Sequence, residues 1–195
     1  MDEVAKFHFN EGIRHSLQAE THACALNFRQ SMESAANAVT EYNLALQIDP
    51  DNLAILQTKG VALKQQGELL EAADIFEALI EAEPDQSENY YQLSLCLFEH
   101  AIYDSGIDTF NEALAISKSP TLNNRLVSDL GYIALKWMYF AHDCLNMGQP
   151  EAFNRFANDA LNIVEIGLRF DPSNNGLNHL HGLILTDLQQ IKNPN

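Results

Sequence analysis

Residues 42–52 read YNLALQIDPDN, and residues 76–86 read FEALIEAEPDQ. Each stretch opens on an aromatic residue, continues with apolar residues at helical spacing, and closes on an acid followed by proline. Proline cannot donate to the turn before it and pushes its predecessor out of the α region. A helix is therefore expected to stop at Asp49–Pro50 and again at Glu83–Pro84. Asp51 and Asn52, like Asp85 and Ser87, have side chains suited to capping a following helix. The phrase is punctuation between helical units.

The punctuation is periodic. Tyr42, Phe76 and Phe110 are spaced by 34 residues, with Ala38, Ala72 and Gly106 four residues before them. Pro50 and Pro84 follow by eight, and Leu46, Ile80 and Leu114 keep the phase. A fixed period of this length marks stacked supersecondary units. In the second unit, NLAILQTKGVALKQQG (52–67) reads as a first helix broken by Gly67. LLEAADIFEALIEAE (69–83) reads as its partner, with Ala72, Phe76 and Leu79 on one face. Gly60 and Ala72 are expected to let the two helices approach closely, with Phe76 filling the space to the next pair.

These residues resemble the tetratricopeptide repeat family, whose pattern is W-x2-L-G-x2-Y, then A-x3-F, then a late proline. Three units match in phase, residues 19–52, 53–86 and 87–120. Their second halves carry the likeness: Ala38, Tyr42, Ala45 and Pro50; Ala72, Phe76 and Pro84; Phe110 and Ala113. The first halves depart from it. His22, Leu56 and Tyr90 stand at the tryptophan position, Leu26, Gly60 and Ser94 at the glycine, and Pro120 comes two residues late. A stretched fourth unit, 124–172, sets Trp137, Phe140, Ala141 and Cys144 at the opening positions and Ala160, Val164, Gly167 and Pro172 at the closing ones. The resemblance implies an all-α right-handed superhelix of four helical hairpins in a single domain over 1–195, ended by a capping helix at about 174–191. Residues 2–29 are expected to form one long first helix with a break near 18, and Ser31 to begin its partner.

Composition limits what such a fold could bind. The chain has 195 residues, is 46% hydrophobic and carries a formal charge of -16. A phosphate backbone needs a basic footprint, and an anionic membrane surface needs cations, so neither nucleic acid nor membrane is the expected partner. MDEVAKFHFN lacks the basic and apolar regions of a secretory signal. Cys24, Cys96 and Cys144 are an odd, widely spaced set. They read as reduced, buried thiols, and the expected location is cytoplasmic.

No nucleotide-loop, zincin or calcium-loop pattern occurs in the sequence. No catalytic residue, metal or cofactor is expected. His8, His15 and His22 are spaced by seven, so successive members lie roughly 10 Å apart along a helix and cannot share one metal. His142 and Cys144 lie two apart on a helix and face different ways. Glu71, Asp74, Glu77 and Glu81 line the polar side of one helix, either a solvated face or a docking surface for a basic partner.

In the resembled family the first helices line a concave groove. Its groove-facing positions fall here on Asn27, Gln57, Val61, Lys64, Tyr91, Leu95 and Phe98. Tyr91, Leu95 and Phe98 follow i, i+4, i+7, a stripe that suits either an exposed peptide anchor or core. The carboxylate-clamp subtype needs cations, whereas its matching positions are Ala23, Val61, Glu88 and Gln92, and only Asn27 agrees. The expected function is a non-enzymatic protein or peptide interaction module: adaptor, co-chaperone or assembly scaffold. Two alternatives stay open, a chaperone like those of type III secretion and a self-assembling scaffold or homodimer.

Overall fold

The computed structural model describes residues 1–119 and 121–192, and among these the regular structure is helical. The order is α1 (Glu3–Cys24), α2 (Phe28–Ile48), α3 (Leu53–Gln66), α4 (Leu69–Ala82), α5 (Ser87–Glu99), α6 (Tyr103–Ser117), α7 (Thr121–Asn146), α8 (Pro150–Phe170) and α9 (Asn175–Lys192). The chain divides into two compact units, Met1–Lys118 and Ser119–Asn195. The first holds the hairpins α1/α2, α3/α4 and α5/α6; the second holds the hairpin α7/α8 followed by α9. Pro120, the late proline of the third repeat, lies outside the described residues.

The proline punctuation works as the sequence predicts. α2 stops at Ile48 and α4 at Ala82, each two residues before its proline. Asn52 caps α3 by accepting from the Ile55 amide at 3.3 Å, and Asp49 accepts from the Asn52 side chain at 2.8 Å. Ser87 differs from expectation: it is the first residue of α5, and Gln86 occupies the cap without a side-chain bond.

Each hairpin turns on one residue in the left-handed region: Leu26 (φ 58°), Gly67 (98°), Ala101 (63°) and Gly148 (74°). The next amide donates to the carbonyl five residues back, in Asn27→His22, Glu68→Leu63, Ile102→Leu97 and Gln149→Cys144, all at 2.8–2.9 Å. This closure satisfies helix-end carbonyls that would otherwise lack donors. Glycine adopts the conformation without penalty, whereas a side chain strains it. Ala101→Gly is therefore expected to stabilise the first unit by about 0.5–1 kcal/mol, read as a raised midpoint in urea.

The first hairpin is longer than the repeat frame of 19–52, and the long first helix expected over 2–29 is found as Glu3–Cys24. α1 has 22 residues and α2 has 21, against 14 each in α3 and α4. The eight added residues of α1 and the seven of α2 each make about two turns at 3.6 residues per turn, so each longer helix extends the same inward face. The expected frame of 19–52 therefore begins inside α1. That helix runs unbroken past residue 18, and its partner starts at Phe28, ahead of Ser31. Gly12 supplies the close approach in this hairpin: a Cβ there would lie 2.6 Å from Cδ1 of Tyr42. Gly60 does the same in the second, where a Cβ would lie 2.9 Å from Cζ of Phe76. Gly60 thus faces the Phe76 ring and Ile75 on α4.

Each ring also reaches the next hairpin. Tyr42 is buried with Ala38, Ala45, Ile55 and Ala62, the last two from α3. Phe76 is buried with Leu63, Ala72, Leu79, Leu93 and Cys96, the last two from α5. The third hairpin exchanges the roles. Here the glycine is Gly106 on α6 and the ring is Phe98 on α5, whose Cδ1 would lie 2.8 Å from a Cβ at Gly106.

In the second unit Pro150 opens α8, whose buried face carries Phe153, Ala157, Ala160, Val164 and Gly167. Trp137 meets Phe156 edge-on at 5.6 Å between ring centres. α9 seats Leu177 against Gly167, where a Cβ would come within 2.6 Å of Cδ1. His142 to Asp187 at 3.2 Å and His181 to Glu165 at 3.6 Å tie α9 to α7 and α8. Cys96 is buried and Cys144 half-buried; Cys24 departs from the expected burial because it ends α1 beside the exposed turn 25–27.

Candidate interaction groove

The first helices of the three hairpins in the first unit line a groove of about 340 Å³. α1 presents Ile13, Ser16, Leu17 and Glu20, which share one helical face by their i, i+3, i+4, i+7 spacing. α3 contributes Gln57, Thr58 and Val61, and α5 contributes Glu88 and Gln92. The Tyr42 hydroxyl reaches the groove from α2 and is shared with the Ser16 hydroxyl at 3.0 Å. Burial pushes the Tyr42 phenol above its ordinary pKa; bonds from Ser16 and Thr58 lower it, and the Glu20 carboxylate raises it again.

The far wall is a polar relay. Gln57 donates to Asn89 Oδ1 at 3.1 Å, joining α3 to α5. Lys64 donates to Gln92 Oε1 at 2.8 Å, and Gln92 donates through Nε2 to Glu88 at 2.7 Å. Lys64 thereby fixes which end of the Gln92 amide faces Glu88.

Of the expected groove residues, Gln57 and Val61 line the groove, and Lys64 is bonded to Gln92, which lines it. Asn27 is not on it. It sits in the exposed turn at the start of α2, because α1 has already ended at Cys24. Tyr91, Leu95 and Phe98 are core, at 0%, 3% and 0% exposure. Tyr91 packs edge-on against Phe110 at 6.1 Å, and Phe98 fills the space that Gly106 leaves. Those two contacts turn the apolar side of α5 toward α6 and leave Glu88 and Gln92 on the groove.

The α1 wall was missed because its register follows Gly12. Gln57, Val61 and Lys64 stand at −3, +1 and +4 from Gly60; the same steps from Gly12 give Phe9, Ile13 and Ser16. The signal was present, since Gly12 is the only glycine in residues 2–29.

Elsewhere, Glu71, Asp74, Glu77 and Glu81 are exposed on α4, and Glu71 pairs with Lys59 at 3.0 Å. His8 bonds Glu41 across α1 and α2 at 2.8 Å, and His15 bonds Gln18 at 3.1 Å. No group of three or more potential metal ligands comes together among the described residues. Nor is any described helix long and apolar enough to cross a membrane.

Stacked helical hairpins with a groove on their first helices define a helical-repeat protein. Residues 31–95, from α2 to α5, match the family model of the tetratricopeptide repeat. In structure the chain is similar to the MamA protein in one crystal structure, at 18% identity over 97% of this chain and 86% of that one, with a TM-score of 0.48. It is also similar to MamA AMB-1, at 16% identity over 79% of this chain and 92% of that one, with a TM-score of 0.40. No curated protein matches the chain in sequence.

Proposed function

We propose that this chain is a non-enzymatic, cytoplasmic protein-interaction module that holds a peptide or helix of a partner in the groove of α1, α3 and α5. One observation carries the reading: half-buried and exposed apolar side chains, Ile13, Leu17 and Val61, meet hydrogen-bonding groups on three successive first helices. Leu17 is 57% exposed, a large apolar side chain with room for an incoming contact. Such a surface gives a partner both desolvated area and fixed polar partners. The adaptor, co-chaperone and secretion-chaperone roles all use this groove and differ in the partner. The test is a pull-down with mass spectrometry comparing wild type with Leu17→Glu/Val61→Glu. The specific partner should be lost from the variant at unchanged thermal stability. Equal recovery from both proteins would reject the groove.

A second reading, a self-assembling scaffold or homodimer, is favoured by the second unit. A cavity of about 510 Å³ between α7 and α9 is lined by Gly131, Leu135, Gly176 and Leu183 among others, and Leu135 and Leu183 are exposed. Concentration-dependent light scattering that Leu183→Glu abolishes would support it; a monomer at every concentration would not.

A further inference from the structure

The start of α9 gathers three asparagines, Asn174, Asn175 and Asn178, and Asn175–Gly176 is the only asparagine–glycine step in the chain. Two of the three side chains are held. Asn174 caps the helix: its Oδ1 accepts from the Leu177 amide at 3.0 Å, and its Nδ2 donates to Asp171 at 3.4 Å. Asn178 donates through Nδ2 to the Asn174 carbonyl at 2.9 Å and to the Pro172 carbonyl at 3.0 Å. Asn175, the first residue of α9, is exposed, and its side chain makes no hydrogen bond among the described residues. Gly176 is exposed beside it. Its amide is a first-turn donor, a position with no partner inside the helix. The Pro172 carbonyl four residues back is taken by Asn178, and the Gly176 amide donates to no other group among the described residues. A free side-chain amide thus stands next to an unbonded main-chain nitrogen that no side chain shields.

We propose that Asn175 is a site of spontaneous deamidation, with the Gly176 nitrogen as the nucleophile. That nitrogen bonds to Cγ of Asn175, the Cγ–Nδ2 bond breaks, and Nδ2 leaves as ammonia with the proton that the Gly176 amide gives up. The product is a succinimide ring. Water opens the ring at the side-chain carbonyl to leave aspartate, or at the main-chain carbonyl to leave isoaspartate. The first turn of a helix opens more readily than its middle, which gives Asn175 the rotation that ring closure needs. The two products differ in effect. Aspartate keeps the Asn174 cap and places a carboxylate where the helix dipole favours one. Isoaspartate inserts a methylene into the main chain between Asn174 and Leu177 and breaks the cap. Leu177 is the side chain seated against Gly167 of α8, so the seat of α9 loosens with it. Asn174 and Gly176 also line the cavity between α7 and α9, where no Asp, Glu, Lys or Arg is found, so either product brings a charge to its rim.

The test incubates the folded full chain in mildly alkaline buffer and follows each asparagine by peptide mapping and mass spectrometry. Asn175 is expected to convert ahead of Asn174 and Asn178 and to yield both aspartate and isoaspartate. Gly176→Ala should bring conversion at Asn175 down to the level of its two neighbours, since the methyl group hinders the attacking nitrogen. The variant suits the helix, where a Cβ at this position meets only Asn174 Oδ1, at 3.3 Å. Hydrogen exchange at the Leu177 amide should quicken in the isoaspartate fraction and stay slow in Asn175→Asp, which carries the charge without the added methylene. Conversion of Asn174 or Asn178 as fast as Asn175 would overturn the proposal, because the hydrogen bonds would then select nothing. So would an Asn175 that stays intact in the folded chain, whether or not it converts in urea. An unchanged rate in Gly176→Ala would overturn the assignment of the nucleophile.

Discussion

Phe98→Ala is expected to cost about 3–5 kcal/mol of folding stability. The ring is fully buried, and it occupies the space created by the missing side chain of Gly106. Removing it opens a cavity next to a glycine, which has no side chain to fill it. The cost therefore sits at the cavity-forming end of the range, where lost transfer energy and lost packing add. A urea titration of the variant should show the midpoint moving sharply to lower denaturant. A near-wild-type midpoint would place Phe98 on the surface and restore it as a candidate partner anchor. Under the present account, weaker binding by this variant reflects a smaller folded population.

Gly12→Leu is expected to be the next most damaging change, at about 1–3 kcal/mol or more. The substituent would run into the face of Tyr42, with Cδ1 2.6 Å from the new Cβ. That ring is itself packed among Ala38, Ala45, Ile55 and Ala62 and held by Ser16, so it has nowhere to retreat. Gly60→Leu should behave alike, because a Cβ there meets Phe76 at 2.9 Å. The control is Gly182→Ala on α9, where a Cβ meets nothing within 4 Å. It should leave stability unchanged or raise it by about 0.5–1 kcal/mol, since alanine suits a helix interior better than glycine. A thermal melt of Gly12→Leu that overlays wild type would contradict the pairing of α1 with α2 in this register.

These two positions also show what the sequence could disclose. From α3 to α6 the 34-residue period, the prolines and Gly67 located the helices closely, because each signal has a direct backbone consequence. α9 was legible for the same reason, between Pro172 and the end of its apolar pattern. The first hairpin was legible as a long opening helix, but its register and its turn were not. Eight extra residues in α1 and seven in α2 leave the inward face unchanged, so apolar periodicity does not set the register of the hairpin. Its turn is made by Leu26, a residue with no special preference for the left-handed region, and therefore leaves no mark in the sequence. Only Gly12 betrayed the register, and the importance of that glycine depends on its contact with a ring 30 positions away.

The groove was legible in part for related reasons. Gln57 and Val61 lie on the groove described above, in keeping with the standard length of α3 and the position of its glycine on the first helix. Tyr91, Leu95 and Phe98 were misplaced because the small residue of the third hairpin lies on the second helix, at Gly106. That exchange turns the rings of α5 inward. The spacing i, i+4, i+7 is the same for a buried and an exposed stripe, so periodicity could not decide between them.

The most direct test of the groove is site-specific photo-cross-linking. A photoreactive side chain is placed in turn at Val61, at Leu17 and at Glu77, and each protein is irradiated in the presence of its partner. The account predicts covalent adducts from Val61 and Leu17, on the walls contributed by α3 and α1, and none from Glu77 on the outer face of α4. Adducts from Glu77 alone would contradict it and move the partner to the acidic outer face.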